Sequence, residues 1–340
     1  MEKADTKKVI LGQFFTKESI WLKKQVKDFI LCSGCTVAYD PFAGAGDLLE
    51  AARLLGFDKT VGLDIDPRLP WQINDSLKQI PSLPNAIIIT NPPYIASYSA
   101  ARKKVFSDLQ VYFHNTYYDN IYLLALEQML KAQQYVVAIV PETFINTSFY
   151  GKTRLHSLTV LEQSPFYDTD YPVVVACFDA KEKNASQISV YKNEQFVNTL
   201  EKINSFRLKP TKDIKIQFND KNGWLALRAI DLSSPQKTIA FDFKDKFNYD
   251  WTKGIKVSSR LYSLIDIAVE ISQRENFINQ ANAILGQIRH NSADIIFSPF
   301  KGNTKAGARR RRLDYTTARA ILELSYKKIY GEPYEQYRFF

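Results

Sequence analysis

The chain has 340 residues, 45% of them hydrophobic, and a formal net charge of +9, so one large or two medium domains with a sizeable core are expected. No apolar run approaches the roughly 18 residues of a membrane-crossing helix. Residues 1–8 are polar and charged, unlike a secretory leader, and three cysteines without evident pairing fit a reducing, cytoplasmic setting. Cys32-Ser33-Gly34-Cys35 is a lone C-x-x-C with no second pair and no histidine at ligand spacing, so no metal is expected.

In chain order, the first feature is Gly12-Gln13-Phe14-Phe15-Thr16, with Thr16 placed to cap a helix starting near Lys17. Residues 36–40 read as a buried strand ending in an acid. Pro41-Phe42-Ala43-Gly44-Ala45-Gly46 and an apolar helix start follow, the strand–turn–helix context of a nucleotide-type site. Gly44 and Gly46 let the backbone approach a ligand closely. The third glycine of a dinucleotide fingerprint would fall on Leu49, and Gly-Lys-Ser/Thr is absent, which argues against a phosphate cradle. A loop headed by Asp40 suits a ligand with a cationic amino-acid group, such as S-adenosylmethionine.

Thr60-Val61-Gly62-Leu63-Asp64-Ile65-Asp66 reads as the next strand. Asp64 lies 18 positions after Gly46, where nucleotide-binding α/β folds grip ribose hydroxyls. Ile65 offers an apolar contact for an adenine face, and Asp75 an acceptor for its amine. Each acid alone is equally well a solvated loop carboxylate; their order and spacing together carry the reading.

Residues 86–90 are an apolar run that reads as a buried strand, and Asn91-Pro92-Pro93-Tyr94 sits past its carboxyl end. The prolines stiffen the turn and remove two N–H donors, leaving carbonyls free to accept. Acceptors on Asn91 and Pro92 beside the ring of Tyr94 suit a planar group bearing –NH2, such as the exocyclic amine of a nucleobase. A plain proline-rich turn is the alternative for the tetrapeptide by itself. Residues 120–133 then read as an amphipathic helix, and residues 135–141 and 172–178 as further buried strands.

Residues 1–180 carry 17 Lys/Arg and 19 Asp/Glu, a balance of −2, whereas residues 181–340 carry 28 and 17, a balance of +11. A near-neutral half joined to a basic half is the pattern of a nucleic-acid reader. The polar stretch at residues 180–187 marks the expected boundary. Residues 188–197 and 214–218 alternate like strands. Residues 260–288 have helical periodicity, with Leu261, Leu264, Ile265, Ala268 and Ile271 on one core-facing side. Residues 301–312 hold six cations and no acid: Lys301, Lys305, Arg309, Arg310, Arg311 and Arg312. They read as a flexible loop before a helix at Tyr315–Tyr330. The arginines suit phosphate, or guanine read bidentately in a major groove; a merely solvated charge run is the plainer alternative.

As a set, Gly12 to Thr16, the Asp40-Pro41-Phe42-Ala43-Gly44-Ala45-Gly46 turn, Asp64, Asp75 and Asn91-Pro92-Pro93-Tyr94 resemble the gamma class of DNA adenine-N6 methyltransferases. Within that class the set is similar to the TaqI-type enzymes of type II restriction–modification systems. The resemblance covers residues 10–180. It implies a doubly wound, Rossmann-like α/β sheet, mostly parallel with an antiparallel last strand. A mixed α+β target-recognition domain would follow from residue 181.

By the resemblance, Gln13, Phe15 and Thr16 close over the methionine end of S-adenosylmethionine. Asp40, Pro41, Ala43, Gly44 and Gly46 line that moiety, and Phe42 packs on the cofactor. Asp64 holds the ribose, Ile65 the adenine ring and Asp75 its amine. Asn91 and Pro92 accept from the target amine and Tyr94 stacks on the base. An aromatic of the 166–171 loop, Phe166 by spacing with Tyr167 and Tyr171 as rivals, meets the extruded base. The implied partner is double-stranded DNA, with a cognate restriction endonuclease acting on the same site and the chain itself monomeric. Cytosine-N4, RNA adenine-N6 and protein glutamine methyltransferases share this chemistry, and an inactive DNA-binding protein is the non-enzymatic rival.

Overall fold

The computed structural model describes residues 18–97, 106–114, 116–167, 169–251 and 261–331. Gln13, Phe15 and Thr16 lie outside the described residues. The chain divides into two compact units, Met1–Leu200 and Glu201–Phe340.

The first unit is a nine-stranded sheet of order β3-β2-β1-β4-β5-β7-β6-β8-β9. Its strands are β1 (Val37–Asp40), β2 (Lys59–Asp64), β3 (Gln72–Ile73), β4 (Ala86–Thr90), β5 (Tyr135–Pro141), β6 (Leu155–Val160), β7 (Val173–Phe178), β8 (Ser189–Lys192) and β9 (Gln195–Thr199). β3, β2, β1, β4 and β5 are mutually parallel, and β7 runs antiparallel between β5 and β6. This is the expected doubly wound, mostly parallel α/β sheet with an antiparallel β7. β1, β4 and β7 are buried at every position, which is why they read as unbroken apolar runs rather than alternating ones.

Alternate strand residues feed two layers. Ala38, Ile87, Ile89, Val137, Ile139, Val173, Val175 and Cys177 pack with Trp21, Val26, Phe29 and Ile30 and with Leu48, Leu49, Ala51 and Ala52. These partners come from the chain around helix Lys24–Cys32 and from helix Asp47–Leu54. The opposite-parity residues Ile88, Val136, Ala138 and Val140 are equally buried and face the other layer, where helix Ile121–Ala132 packs on β5.

The residues read as one alternating strand at 188–197 form the hairpin β8–β9, which turns at Asn193 in a left-handed conformation (φ 53°). Because this hairpin pairs onto β6, the first unit continues to Leu200 instead of closing at Ala180. β6 carries no clear sequence signal, since His156 and Thr159 interrupt its apolar run.

The second unit contains a four-stranded antiparallel sheet, β10-β13-β11-β12, and a hairpin, β14–β15. The strands are β10 (Ile216–Phe218), β11 (Leu225–Arg228), β12 (Ala240–Phe243), β13 (Tyr262–Ile267), β14 (Ser298–Asn303) and β15 (Arg309–Arg312), with helices Arg274–Asn291 and Tyr315–Tyr330. The latter helix has the expected bounds, and Asp314 caps it by accepting from the Thr317 amide.

The helix expected over residues 260–288 is corrected. Residues 262–267 are a strand, and the helix begins only at Arg274. Leu264, Ile265 and Ile267 are buried by sheet pairing, while Ala268 and Ile271 of the supposed core face are exposed. Strand and helix periods overlap over so short a stretch, and pairing with β10 and β11 decides between them.

One buried carboxylate ties this unit together. Asp231 meets Arg289 in two parallel bonds of 2.9 Å and also accepts from the amides of Ile239 and Arg311. Burial raises its pKa, but the Arg289 hydrogen bonds and charge and the two amides outweigh this and hold it below the usual carboxylate value. Such stabilisation is complete above the unfolded value of about 3.9 and is lost as pH falls through the lower folded value. Arg289→Met should therefore destabilise the second unit by about 3–5 kcal/mol at neutral pH. In urea unfolding of the full chain, the gap to wild type should narrow below about pH 4.

Candidate active site

The loops leaving the carboxyl ends of β1, β2, β3 and β4 converge on one cleft. Its empty volume is about 960 Å³, including a mouth open to solvent. Asp40, Pro41, Phe42, Ala43, Gly44, Asp64, Ile65, Asp75 and Asn91 all line it. The ends of this set lie 51 positions apart in sequence, and the residues come together because parallel strands place successive loops side by side. Gly46, Pro92 and Tyr94 are not among the lining residues, whereas Pro93, Leu69, Asn74 and Leu77 are.

Asp40 is buried and uses one oxygen, Oδ1, to accept from the Thr90 hydroxyl (2.5 Å) and the Phe42 amide (3.0 Å). Burial, opposed by those two bonds and reinforced by Asp64 and Asp47, pushes its pKa up to about 7. Asp64 accepts from the Gly44 amide at Oδ2 and from the Asp66 amide at Oδ1, both at 2.9 Å. The turn thereby presents its backbone at a fixed height, with Gly44 at φ 51° and Gly46 at φ 92°, the left-handed region that favours glycine.

A residue with no signal in the motif spacing completes this clamp. Trp71 donates its indole N–H to the Gly44 carbonyl at 2.8 Å. Its ring lies so close to the glycines that an added Cβ would stand 2.8 Å from it at Gly46 and 2.5 Å at Gly62. Gly62, in mid-strand, is therefore a space requirement set by Trp71.

Asp75 is arranged asymmetrically. Its Oδ2 takes the Tyr112 hydroxyl and the Lys78 ammonium, each at 2.9 Å, while its Oδ1 is buried and has no hydrogen-bond partner. Ile65, beside the cleft, is 56% exposed, an open apolar platform.

The Asn91 side chain is held from behind. The Tyr94 hydroxyl donates to Asn91 Oδ1 in a very short bond and also lies 2.7 Å from the Ile139 carbonyl. Burial, with Tyr171 and Tyr122 nearby, raises the Tyr94 pKa well above its ordinary value, so it stays a neutral donor. Its ring is covered, with Tyr171 at 5.7 Å and 31° and Phe166 at 6.2 Å. Phe166 itself is a core residue, 3% exposed, whereas Tyr171 is 40% exposed. Of the three loop aromatics that spacing left open, Tyr171 is thus the accessible one lying against Tyr94.

In the second unit the arginine run is strand β15, antiparallel to β14, and the expected flexible loop is corrected. Strand alternation puts Arg309 and Arg311 inside, at 5% and 1% exposure, so these two do not face a nucleic acid. Arg310 lies over the Phe300 ring at 4.8 Å and donates to the Asp231 carbonyl, and both Arg310 and Arg312 are half-buried. Lys301 and Lys305 are exposed. Among the described residues no helix is long and apolar enough to cross a membrane, and no group of three or more His, Cys, Asp or Glu could hold a metal ion.

No family model matches the chain, and no curated protein matches it. Solved structures align with parts of the chain at low identity. A class I S-adenosylmethionine-dependent methyltransferase from Listeria monocytogenes, assigned as such by its description alone, aligns with a TM-score of 0.37 and 13% identity over 56% of this chain and 68% of that one. The methyltransferase subunit of a type I restriction–modification system from Streptococcus thermophilus aligns with a TM-score of 0.36 and 17% identity over 56% and 52%. A protein from Pyrococcus horikoshii described as an RNA methyltransferase aligns with a TM-score of 0.32 and 18% identity over 54% and 91%. The chain thus spans about half the length of the Streptococcus subunit.

Two outcomes are expected from this geometry. Gly62→Ala should evict the Trp71 ring, costing about 1–3 kcal/mol and shifting tryptophan emission to the red, as read by thermal unfolding with fluorescence detection. Asp40, with a folded pKa near 7, keeps its proton while the unfolded chain loses it near pH 3.8, so its contribution falls as pH rises between these values and is flat above them. Asp40→Asn should therefore stabilise the first unit at pH 8 by up to about 4 kcal/mol, with the difference vanishing below pH 4 in denaturant titrations.

Proposed function

We propose that the chain is an S-adenosylmethionine-dependent methyltransferase that acts on the N6 amine of an adenine flipped out of duplex DNA. The observation that carries this reading is the cleft itself, where three acids, a glycine turn and Asn91 are held at the carboxyl ends of neighbouring strands, with one buried carboxylate oxygen of Asp75 awaiting a donor.

The residues fit the cofactor part by part. Asp40 and the Gly44 turn receive the methionine end, and the ammonium there draws Asp40 toward its ionised form. Asp64, although it bonds two amides, keeps lone pairs for ribose hydroxyls. Ile65 offers its exposed side chain to one adenine face, and Asp75 Oδ1 accepts from the adenine amine. When bound, the cofactor supplies an electrophilic methyl group on a sulfonium.

The amine of the target adenine is a poor nucleophile because its lone pair is delocalised into the ring. Accepting its hydrogens at Asn91 Oδ1 and the Pro92 carbonyl favours a tetrahedral nitrogen whose lone pair faces the methyl. The Tyr94 hydroxyl fixes the Asn91 oxygen for this task. Catalysis is then positioning and electrostatics along an in-line path. The base enters against Tyr94 by displacing Tyr171, and stacking there offsets part of the few kcal/mol that extrusion costs. The second unit supplies the DNA contacts in this reading, with Lys301, Lys305, Arg310 and Arg312 of the β14–β15 hairpin as the candidate cations for phosphate or guanine.

The test is transfer of labelled methyl from S-adenosylmethionine to unmethylated duplex DNA, with RNA and protein in parallel and nucleoside mass spectrometry of the product. N6-methyladenine in DNA is expected. N4-methylcytosine would move the reading to the other amine, and label only in RNA or protein would overturn the DNA assignment. Asn91→Ala should lower turnover by at least about 10²-fold while S-adenosylhomocysteine binding stays near wild type; near-normal turnover would sink the mechanism.

A further inference from the structure

We infer that Tyr112 is a positioning residue that aims Asp75 at the amine of the cofactor's adenine and thereby sets a preference for 6-amino over 6-oxo purines. The inference rests on the cofactor reading above.

Asp75 and Tyr112 are 37 positions apart and meet at 2.9 Å. A carboxylate has two equivalent oxygens, and a free one turns between them. Here Oδ2 is engaged from behind by the Tyr112 hydroxyl and the Lys78 ammonium, which leaves Oδ1 as the oxygen without a donor. The two partners differ in how firmly they hold. The Lys78 side chain is 64% exposed, and an exposed pair of this kind imposes little order. Tyr112 is seated, partly buried and packed against the Ile95 and Ile121 cluster. Burial, then the bond and charge of Asp75, push the Tyr112 pKa up to about 12, so the phenol remains a donor at any working pH.

The chemistry that such an arrangement selects is specific. A buried acceptor without a partner is unfavourable, and an N–H from a ligand relieves it. A 6-amino purine brings that N–H. A 6-oxo purine brings an oxygen, which a fixed carboxylate repels. A site built to bond one group rejects the analogue lacking it far more strongly than an apolar pocket does. If Tyr112 lost its hydroxyl, Asp75 could turn away and the discrimination would fall even though the pocket kept its shape.

Isothermal titration of the full chain with S-adenosylhomocysteine and with S-inosylhomocysteine tests this. Wild type should prefer the adenosyl ligand by at least about 30-fold, and Tyr112→Phe should weaken that ligand about 10-fold while changing the inosyl ligand less than about twofold. Lys78→Met should cost less than about threefold on the adenosyl ligand. Equal losses on both ligands, or no loss, in Tyr112→Phe would overturn the inference by making Tyr112 structural or idle. A larger loss in Lys78→Met would overturn it by passing the role to the lysine. Wild type binding both ligands equally would overturn it while leaving the cofactor reading intact; wild type binding neither would remove the cofactor reading and the inference together.

Discussion

Both backbone groups of Gly44 are pinned. Its amide donates to the Asp64 carboxylate and its carbonyl accepts from the Trp71 indole. The two partners arrive from the carboxyl end of β2 and from the loop beyond it, so the turn after β1 is fixed by the neighbouring strand as well as by its own Phe42–Asp40 and Gly46–Ala43 bonds. Everything else in the cleft is arranged around that fixed point. Asp40 is held behind the turn by Thr90 of β4, which ties the third strand into the same cluster. The requirement for glycine at positions 44, 46 and 62 follows from φ at the first two and from the Trp71 ring at the last two.

Electrostatics in the first unit are likewise local. Its near-zero balance hides a concentration of carboxylates at the cleft, with Asp40, Asp47, Asp64, Asp66 and Asp75 all lining it. Backbone amides and a hydroxyl hold two of them, Phe42 and Thr90 for Asp40 and Gly44 and Asp66 for Asp64, while Arg68 pairs with Asp66 and Lys78 with Asp75. A carboxylate held by amides keeps its negative field pointed outward, which suits a cationic ligand. A carboxylate neutralised by lysine would not. The Lys78 contact to Asp75 is on Oδ2, and Oδ1 is left without a hydrogen-bond partner.

How much of this was legible in the sequence depended on whether burial left a one-dimensional trace. β1, β4, β5 and β7 are buried on both faces and appear as apolar runs of near-correct length, and the acids that follow β1 and β2 sit at the spacing that neighbouring parallel strands impose. Trp71 left no trace, because its partner lies 27 positions away and is a backbone carbonyl. Tyr112 left none either, because its partner, the Asp75 carboxylate, lies 37 positions away. Residues 262–267 were misread because Leu261, Leu264, Ile265, Ala268 and Ile271 satisfy a helical period, while their strand pairing is with residues far along the chain. The arginine run reads as a flexible, nucleic-acid-facing loop because its glycines and adjacent cations carry no strand signal. In a strand, successive side chains take opposite faces, and Asp231, itself paired with Arg289, receives the backbone amide of Arg311.

The order of the first sheet carries a last implication at its β3 end. A terminal strand exposes unpaired amides and carbonyls that can template a strand from another molecule. Here the terminal strand is only Gln72–Ile73, both residues exposed, and it is bracketed by Pro70 and by the Asn74–Leu77 stretch that lines the cleft. So short a border offers a visiting strand about two residues of ladder. The same brevity that makes room for Trp71 and Asp75 beside the cleft also leaves this margin of the sheet a poor seed for aggregation, despite the 63% exposure of Ile73.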